Sequence, residues 1–488
     1  MLQIYGPSRC MMGKLSALFT DLYELTMAQG YFTYEMNNHC VFDMFFRRQP
    51  FGGGFSIFAG LENLLDALQE FRFSPEDLEY LESLGYFEPS FLDYLASFRF
   101  QGDVYAIPEG TPVFPLEPLV RIHGTLIETQ LIEGMLLNVL NFQTLIATKT
   151  ARIYLASNKG RILEFGLRRA QGPDGAMSAS RAAYIGGASA TSNTLAGKVY
   201  GIPVAGTMAH SWVMAFDSEE EAFHRYAELY PDRTILLIDT FNTLQSGIKN
   251  AIKIGLKLKT LGKPFGVRLD SGDIQYLSNE VRAALDRAGL QDAKIAVSNE
   301  LDEEIIYHLV ASGCPIDIWG VGTHLVTGGG DPAFTGVYKL CAREKGGKLI
   351  PTMKVSDNPE KSTNPGVKQV YRFHDRDNRP LADLITFADS PPPTEGPITF
   401  HHPYMDYRRF TLCPEGAVVP LLEKRMENGR ITVPHPPLAS IRSRALDQLD
   451  KLDPTFTRIL NPHVYKVSIS EEVKQVKVAM INQMLLRS

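Results

Sequence analysis

His210 stands in Gly206-Thr-Met-Ala-His-Ser-Trp212, directly after the apolar run 202–205 and before a stretch of helical pattern, 211–216. That position puts an imidazole near a helix start, where backbone donors favour a phosphoryl group, and a neutral imidazole is nucleophilic near neutral pH. Other histidines, such as His224 and His308, fall within helical patterns and read as ordinary structural or surface groups. Asp239 closes the run Thr234-Ile-Leu-Leu-Ile-Asp-Thr240, and Arg268 with Asp270 closes Phe265-Gly-Val-Arg-Leu-Asp-Ser271. Two positions apart on a strand, Arg268 and Asp270 share one face and aim at one cavity. Gly320-Val-Gly-Thr323 ends a further run with small residues, which let backbone N–H groups close on an anion. The chemistry these types support is capture of a phosphoryl group beside an anion-binding pocket.

Such groups must be held by elements that converge. Between Arg161 and Thr323 one unit repeats: a short apolar run, a turn with polar groups, then a helix-patterned stretch such as 244–261 or 277–290. The runs are 161–166, 187–193, 202–207, 234–240, 265–271, 294–300 and 316–323. Strands alternating with such stretches predict crossover units and a parallel sheet, and seven runs at roughly thirty-residue spacing suit a closed α/β barrel. In a barrel the site lies where strands end. Here those ends carry Glu164 and Arg168, Asn193, His210, Asp239, Arg268 and Asp270, then Asn299, Glu300 and the Gly320 turn. Charges at the tips of apolar strands are expensive to bury without a ligand or partners.

The chain has 488 residues, more than one core supports, so two or three domains are expected. Its net charge of -6 gives no reason to expect nucleic acid or an acidic membrane as partner. Five scattered cysteines lack the pairing of a zinc site or a disulfide framework, and no membrane span or secretory leader is present, so the cytoplasm is expected. Met1 to Cys10 reads as a disordered lead or an upstream start. The remaining chain divides into an α+β N-terminal domain, 13–150, completed by 337–410; the barrel, 151–336; and a mainly helical C-terminal extension, 411–488, packing on the N-terminal domain. A polar, turn-rich loop spans 356–366.

Nine motifs follow one another along the chain: Thr20-Asp-Leu-Tyr23, Phe46-Arg-Arg-Gln-Pro-Phe-Gly-Gly53, Asn141-Phe-Gln-Thr144, Glu164-Phe-Gly-Leu-Arg-Arg-Ala170, the His210 segment, Ile238-Asp-Thr240, Val267-Arg-Leu-Asp-Ser-Gly-Asp273, Gly320-Val-Gly-Thr323 and Lys368-Gln-Val-Tyr-Arg372. In order and spacing they resemble those of the nicotinate phosphoribosyltransferase family. The resemblance implies an irregular TIM-like α/β barrel of the type II phosphoribosyltransferase kind. It also implies condensation of nicotinate with phosphoribosyl pyrophosphate to nicotinate mononucleotide and pyrophosphate, in NAD salvage. Family members couple this step to ATP hydrolysis through a phosphohistidine, matched here by His210, which gives the enzyme a ligase-type classification.

Under that resemblance Asp239 and Asp270 face the ribose hydroxyls and, indirectly, Mg²⁺-pyrophosphate, while Arg268 takes phosphates and Gly320, Gly322 and Thr323 take the 5′-phosphate. Phe165 offers an apolar face to the pyridine, and Arg168 a bidentate partner for its carboxylate. Tyr23, and Arg47 or Arg48, match positions that reach the site from the other subunit of a homodimer with shared active sites. Asn193 stands where the nicotinamide-using relative has an aspartate, which favours the acid. Asn299 and Glu300 replace a more usual Gly-Asp at a ribose contact.

Three other readings compete. A nicotinamide or quinolinate phosphoribosyltransferase would share most of the site, though the quinolinate enzyme needs no histidine phosphorylation. A non-catalytic phosphoribosyl-ligand sensor could dispense with His210 and Asp270, which this chain keeps. An aldolase or isomerase barrel would call for a lysine or metal-ligand histidines at strand tips.

Overall fold

The computed structural model describes residues 15–356, 358 and 361–485; the N-terminal lead and part of the 356–366 loop lie outside them. Two compact units form, Lys149–Pro332 and the remainder of the chain on either side, with the boundary inside the helix Glu133–Ala156.

In the unit Lys149–Pro332, six parallel strands pair in the order Ala190–Thr191, Arg161–Glu164, Ile318–Val321, Lys294–Val297, Phe265–Leu269, Thr234–Leu237. Their apolar runs are buried: Val267, Leu269, Ile295, Val297 and Val321 are fully enclosed. Helices cover the sheet with residues at three- and four-residue spacing, as Ile248, Ala251, Ile254, Gly255 and Leu258 do in Ile248–Thr260. Gly255 leaves the room that the Phe265 ring fills.

The run 202–207 forms no strand. It contributes one parallel bridge, Val204 to Thr191, because Pro203 offers no N–H and only its carbonyl joins the ladder. No strand pairing joins this segment to Thr234–Leu237 among the described residues, so the seven expected strands become a mixed α/β half-barrel of six and a bridge.

Alternation along the strands decides what meets the cavity. Leu163, Ala190, Ala296 and Ile318 form an apolar layer with Phe165, Ala205 and Ile235. Two residues further on, the same faces present Phe165, Ser192, Ser298 and Gly320, with Arg268 and Asp270 on the neighbouring strand.

The second unit holds a seven-stranded antiparallel sheet whose middle strands are Gly336–Lys345, His39–Phe46, Val120–Thr125 and Asp103–Ala106. A six-stranded sheet is built around Lys368–His374 and Pro380–Phe387. Residues 411–488 are more than a helical extension. Glu423–Glu427 pairs in the first sheet, while Val418–Pro420 and Lys466–Ile469 pair in the second. Glu423-Lys-Arg-Met-Glu427 hides this role, since only Arg425 and Met426 of the five are buried. The Lys368–Arg372 motif is structural here: buried Lys368 pairs with Asp43 at 2.8 Å, and Arg372 forks onto Asp383 at 2.9 and 2.7 Å.

Candidate active site

A cavity of about 430 Å³ opens where the parallel strands end, a volume suited to a small ligand. Phe165, Arg168, His210, Arg268, Asp270, Asn299, Glu300, Gly320, Gly322 and Thr323 all line it, drawn from four strand ends and the segment after the Val204 bridge. Ser192, Thr207 and Ser298 join them.

His210 begins the short helix His210–Met214. Its Nδ1 lies 3.1 Å from the Thr240 hydroxyl and its Nε2 3.7 Å from Asp270 Oδ2, so a hydroxyl and a carboxylate hold opposite edges of the ring. Asp270 in turn accepts the Ser298 hydroxyl on Oδ1. Asp239 does not line the cavity: its Oδ2 accepts the Asp270 backbone N–H at 3.0 Å and the Ser271 hydroxyl at 2.6 Å, and its buried Oδ1 has no hydrogen-bond partner. Arg268 donates to the Thr207 hydroxyl, and burial lowers its guanidinium pKa against the opposing pull of Asp270 and Asp239.

Glu164 is fully buried at its strand end and accepts from the Gly166 N–H, from Ser180 Oγ at 2.9 Å and from Thr191 Oγ1 at 2.5 Å. It thereby fixes the turn that carries Phe165 and the exposed Arg168.

Asn193 is buried and does not line the cavity. Its Oδ1 caps the helix Thr194–Tyr200 through the Ala196 N–H at 3.2 Å, and its Nδ2 donates to Ser180 Oγ at 3.2 Å. Asn299 adopts a φ of +99°, a region that favours glycine, and Glu300 reaches Thr323 Oγ1 at 3.2 Å and His324 Nε2 at 3.3 Å. Tyr23, Arg47 and Arg48 belong to the other unit. Tyr23 lies on the helix Leu22–Thr33, half exposed, its phenol pKa raised by desolvation and by Glu133 and Glu24.

Sequence reasoning missed Thr207, Thr240, Ser271 and Ser298. Short hydroxyl residues carry no motif of their own, and their partners lie 28 to 61 positions away along the chain.

No group of three or more His, Cys, Asp or Glu side chains forms a metal cage among the described residues, nor is any helix there long and apolar enough to cross a membrane. The four described cysteines are free.

Residues 18–141 match the N-terminal domain of nicotinate phosphoribosyltransferase, and residues 367–477 match its C-terminal domain. The nicotinate phosphoribosyltransferase of Bacillus subtilis is 42% identical over 474 residues, covering 96% of each chain. That of Caenorhabditis elegans is 36% identical over 521 residues, covering 94% of this chain and 92% of the relative. Human nicotinic acid phosphoribosyltransferase superposes with a TM-score of 0.82 at 33% identity, over 95% of this chain and 99% of its own. Nicotinate-nucleotide pyrophosphorylase from Pyrococcus furiosus shares the fold, with a TM-score of 0.70 at 24% identity over 92% and 99% of the two chains.

Proposed function

The chain belongs to the nicotinate phosphoribosyltransferase family, and from that premise we propose that it joins nicotinate to phosphoribosyl pyrophosphate. The pyridine nitrogen forms a bond to the ribose anomeric carbon, and the bonding pair of the departing C–O bond leaves with pyrophosphate. One observation carries this reading: an aromatic face, three guanidinium groups, an aspartate whose backbone N–H a second carboxylate holds, and a glycine-bearing turn line one cavity of substrate size.

In this reading Phe165 covers one face of the pyridine and Arg168 pairs with its carboxylate. Positive charge builds on the ribose as the C–O bond breaks, and Asp270, kept in place by Asp239 and Ser298, stabilises it. Arg268 takes a phosphate of the leaving group, and the Gly322–Thr323 turn takes the 5′-phosphate. Asn299 and Glu300 flank the ribose.

Asp270, which lines the cavity and is positioned there by Asp239, fits Mg²⁺ arriving with the pyrophosphate rather than a resident ion. Bound there, the ion would neutralise charge on the leaving group.

ATP enters as co-substrate. A ring nitrogen of His210 attacks the γ-phosphorus, ADP departs, and water later releases inorganic phosphate from the phosphohistidine. Support comes from the ring's place on the cavity wall and its anchoring at both edges. We read the half-barrel as the irregular TIM-like barrel of type II phosphoribosyltransferases, and the protein as a cytoplasmic homodimer in which a second copy supplies Tyr23 and Arg47 or Arg48. The product places the step in NAD salvage.

The decisive experiment measures pyrophosphate release with nicotinate, nicotinamide and quinolinate side by side, with and without ATP. Nicotinate-dependent release stimulated by ATP is expected. Preference for either other pyridine, or no release with any, overturns the proposal.

A further inference from the structure

Gly320 lines the cavity, yet nothing in its backbone demands glycine. It lies within the strand Ile318–Val321, paired opposite Leu163, and its φ is not positive. Being inside the sheet, it is also poorly placed to offer an open backbone to an anion; Gly322, at the start of the following turn, is better placed. What its lack of a side chain provides is room. A Cβ built there would lie 2.8 Å from two carbons of the Phe165 ring and 3.2 Å from Ser298 Cβ. Real Cβ atoms essentially never approach to 2.8 Å, so the ring rests where only hydrogen on Gly320 allows it.

We propose that Gly320 is a positioning residue for the pyridine: it sets the tilt of the Phe165 ring, and so nicotinate affinity, rather than binding phosphate. This rests on Phe165 being the pyridine face. An added methyl would push the ring off its seat by rotation about its own side-chain bonds. The aromatic plane then no longer lies parallel to the bound pyridine, while the phosphate turn at Gly322–Thr323 is untouched. The closer approach to Ser298, which holds Asp270, adds a smaller effect on turnover.

The test is a double-mutant cycle of Gly320→Ala and Phe165→Leu, read as separate Michaelis constants for nicotinate and phosphoribosyl pyrophosphate. Gly320→Ala should raise the nicotinate constant about tenfold, leaving the donor's constant within about twofold. In the Phe165→Leu background, where the smaller side chain clears the methyl, the same substitution should change the nicotinate constant by less than about twofold. If Gly320→Ala alone fails to fold, Phe165→Leu should restore the folded enzyme. A raised donor constant with unchanged nicotinate constant, equal effects in both backgrounds, or a double variant that stays unfolded overturns the assignment. Should Phe165→Leu by itself leave the nicotinate constant unchanged, the pyridine face is misassigned and the proposal falls with it.

Discussion

Asp239 receives the backbone N–H of Asp270 at 3.0 Å, so one acid fixes where the next strand end delivers the other. In the proposed reaction the two therefore act in sequence, Asp270 on the ligand and Asp239 on Asp270. Asp270→Asn should lower kcat/KM by roughly 100- to 1,000-fold, the scale of losing one preorganised electrostatic group, with little change in melting temperature. Asp239→Asn keeps an acceptor oxygen, so its loss should be smaller. Steady-state rates of the two variants check the order; equal losses would place Asp239 on the substrate directly.

His210→Ala should abolish nicotinate-dependent ATP hydrolysis while leaving ATP-independent synthesis measurable. Thr240→Val removes the hydroxyl 3.1 Å from Nδ1 and should weaken ATP stimulation without abolishing it. Parallel assays of ADP and pyrophosphate decide both, and intact coupling in the alanine variant would remove the ring from its assigned role.

Arg168→Ala should raise the Michaelis constant for nicotinate roughly 10- to 100-fold, the worth of a charge-assisted pair, with a much smaller effect on the phosphoribosyl donor. Comparable increases for both substrates would argue for a phosphate contact.

Mixing inactive Tyr23→Ala and Asp270→Asn variants should recover part of the activity if two copies complete each site. Proven subunit exchange without recovery would refute a shared site.

His123 gives a pH dependence that is independent of catalysis. Burial, aided by Arg121, pushes its imidazole down to about 4, and its Nε2 is buried without a partner. The unfolded chain binds a proton near the ordinary histidine value, before the folded one does, so stability falls as pH drops from about 6.5 towards 4. At pH 5 this linkage removes about 2 kcal/mol relative to neutral pH. His123→Phe should lose less stability between pH 7 and pH 5, measured by denaturant unfolding, and identical losses would assign the acid sensitivity elsewhere.

Buried apolar runs make Arg268, Asp270 and the 320–323 strand end legible in the sequence, because alternation at a strand end leaves a polar residue few directions to face. Asn193 was read as a specificity contact although Ser192-Asn-Thr194 is also a helix-start signal, and the cap is the role the structure gives it. Ile202-Pro-Val looked like a strand by composition; the missing N–H of Pro203 reduces it to a bridge. Glu300 carries one methylene more than aspartate, and that length lets it reach Thr323 and His324 at the start of the helix Thr323–Thr327. Such outcomes depend on what stands across the sheet, which local pattern does not encode.

The gap between Val204 and Thr234–Leu237 gives the parallel sheet two free margins, and neither need break a ladder hydrogen bond to separate. His210 follows one margin and Thr240 the other, so their contact, with those of Arg268 to Thr207 and His210 to Asp270, stitches the opening through side chains alone. If the proposed phosphohistidine forms at Nδ1, the Thr240 thread is cut, and the breadth of the opening then becomes a mechanical record of whether ATP has been spent.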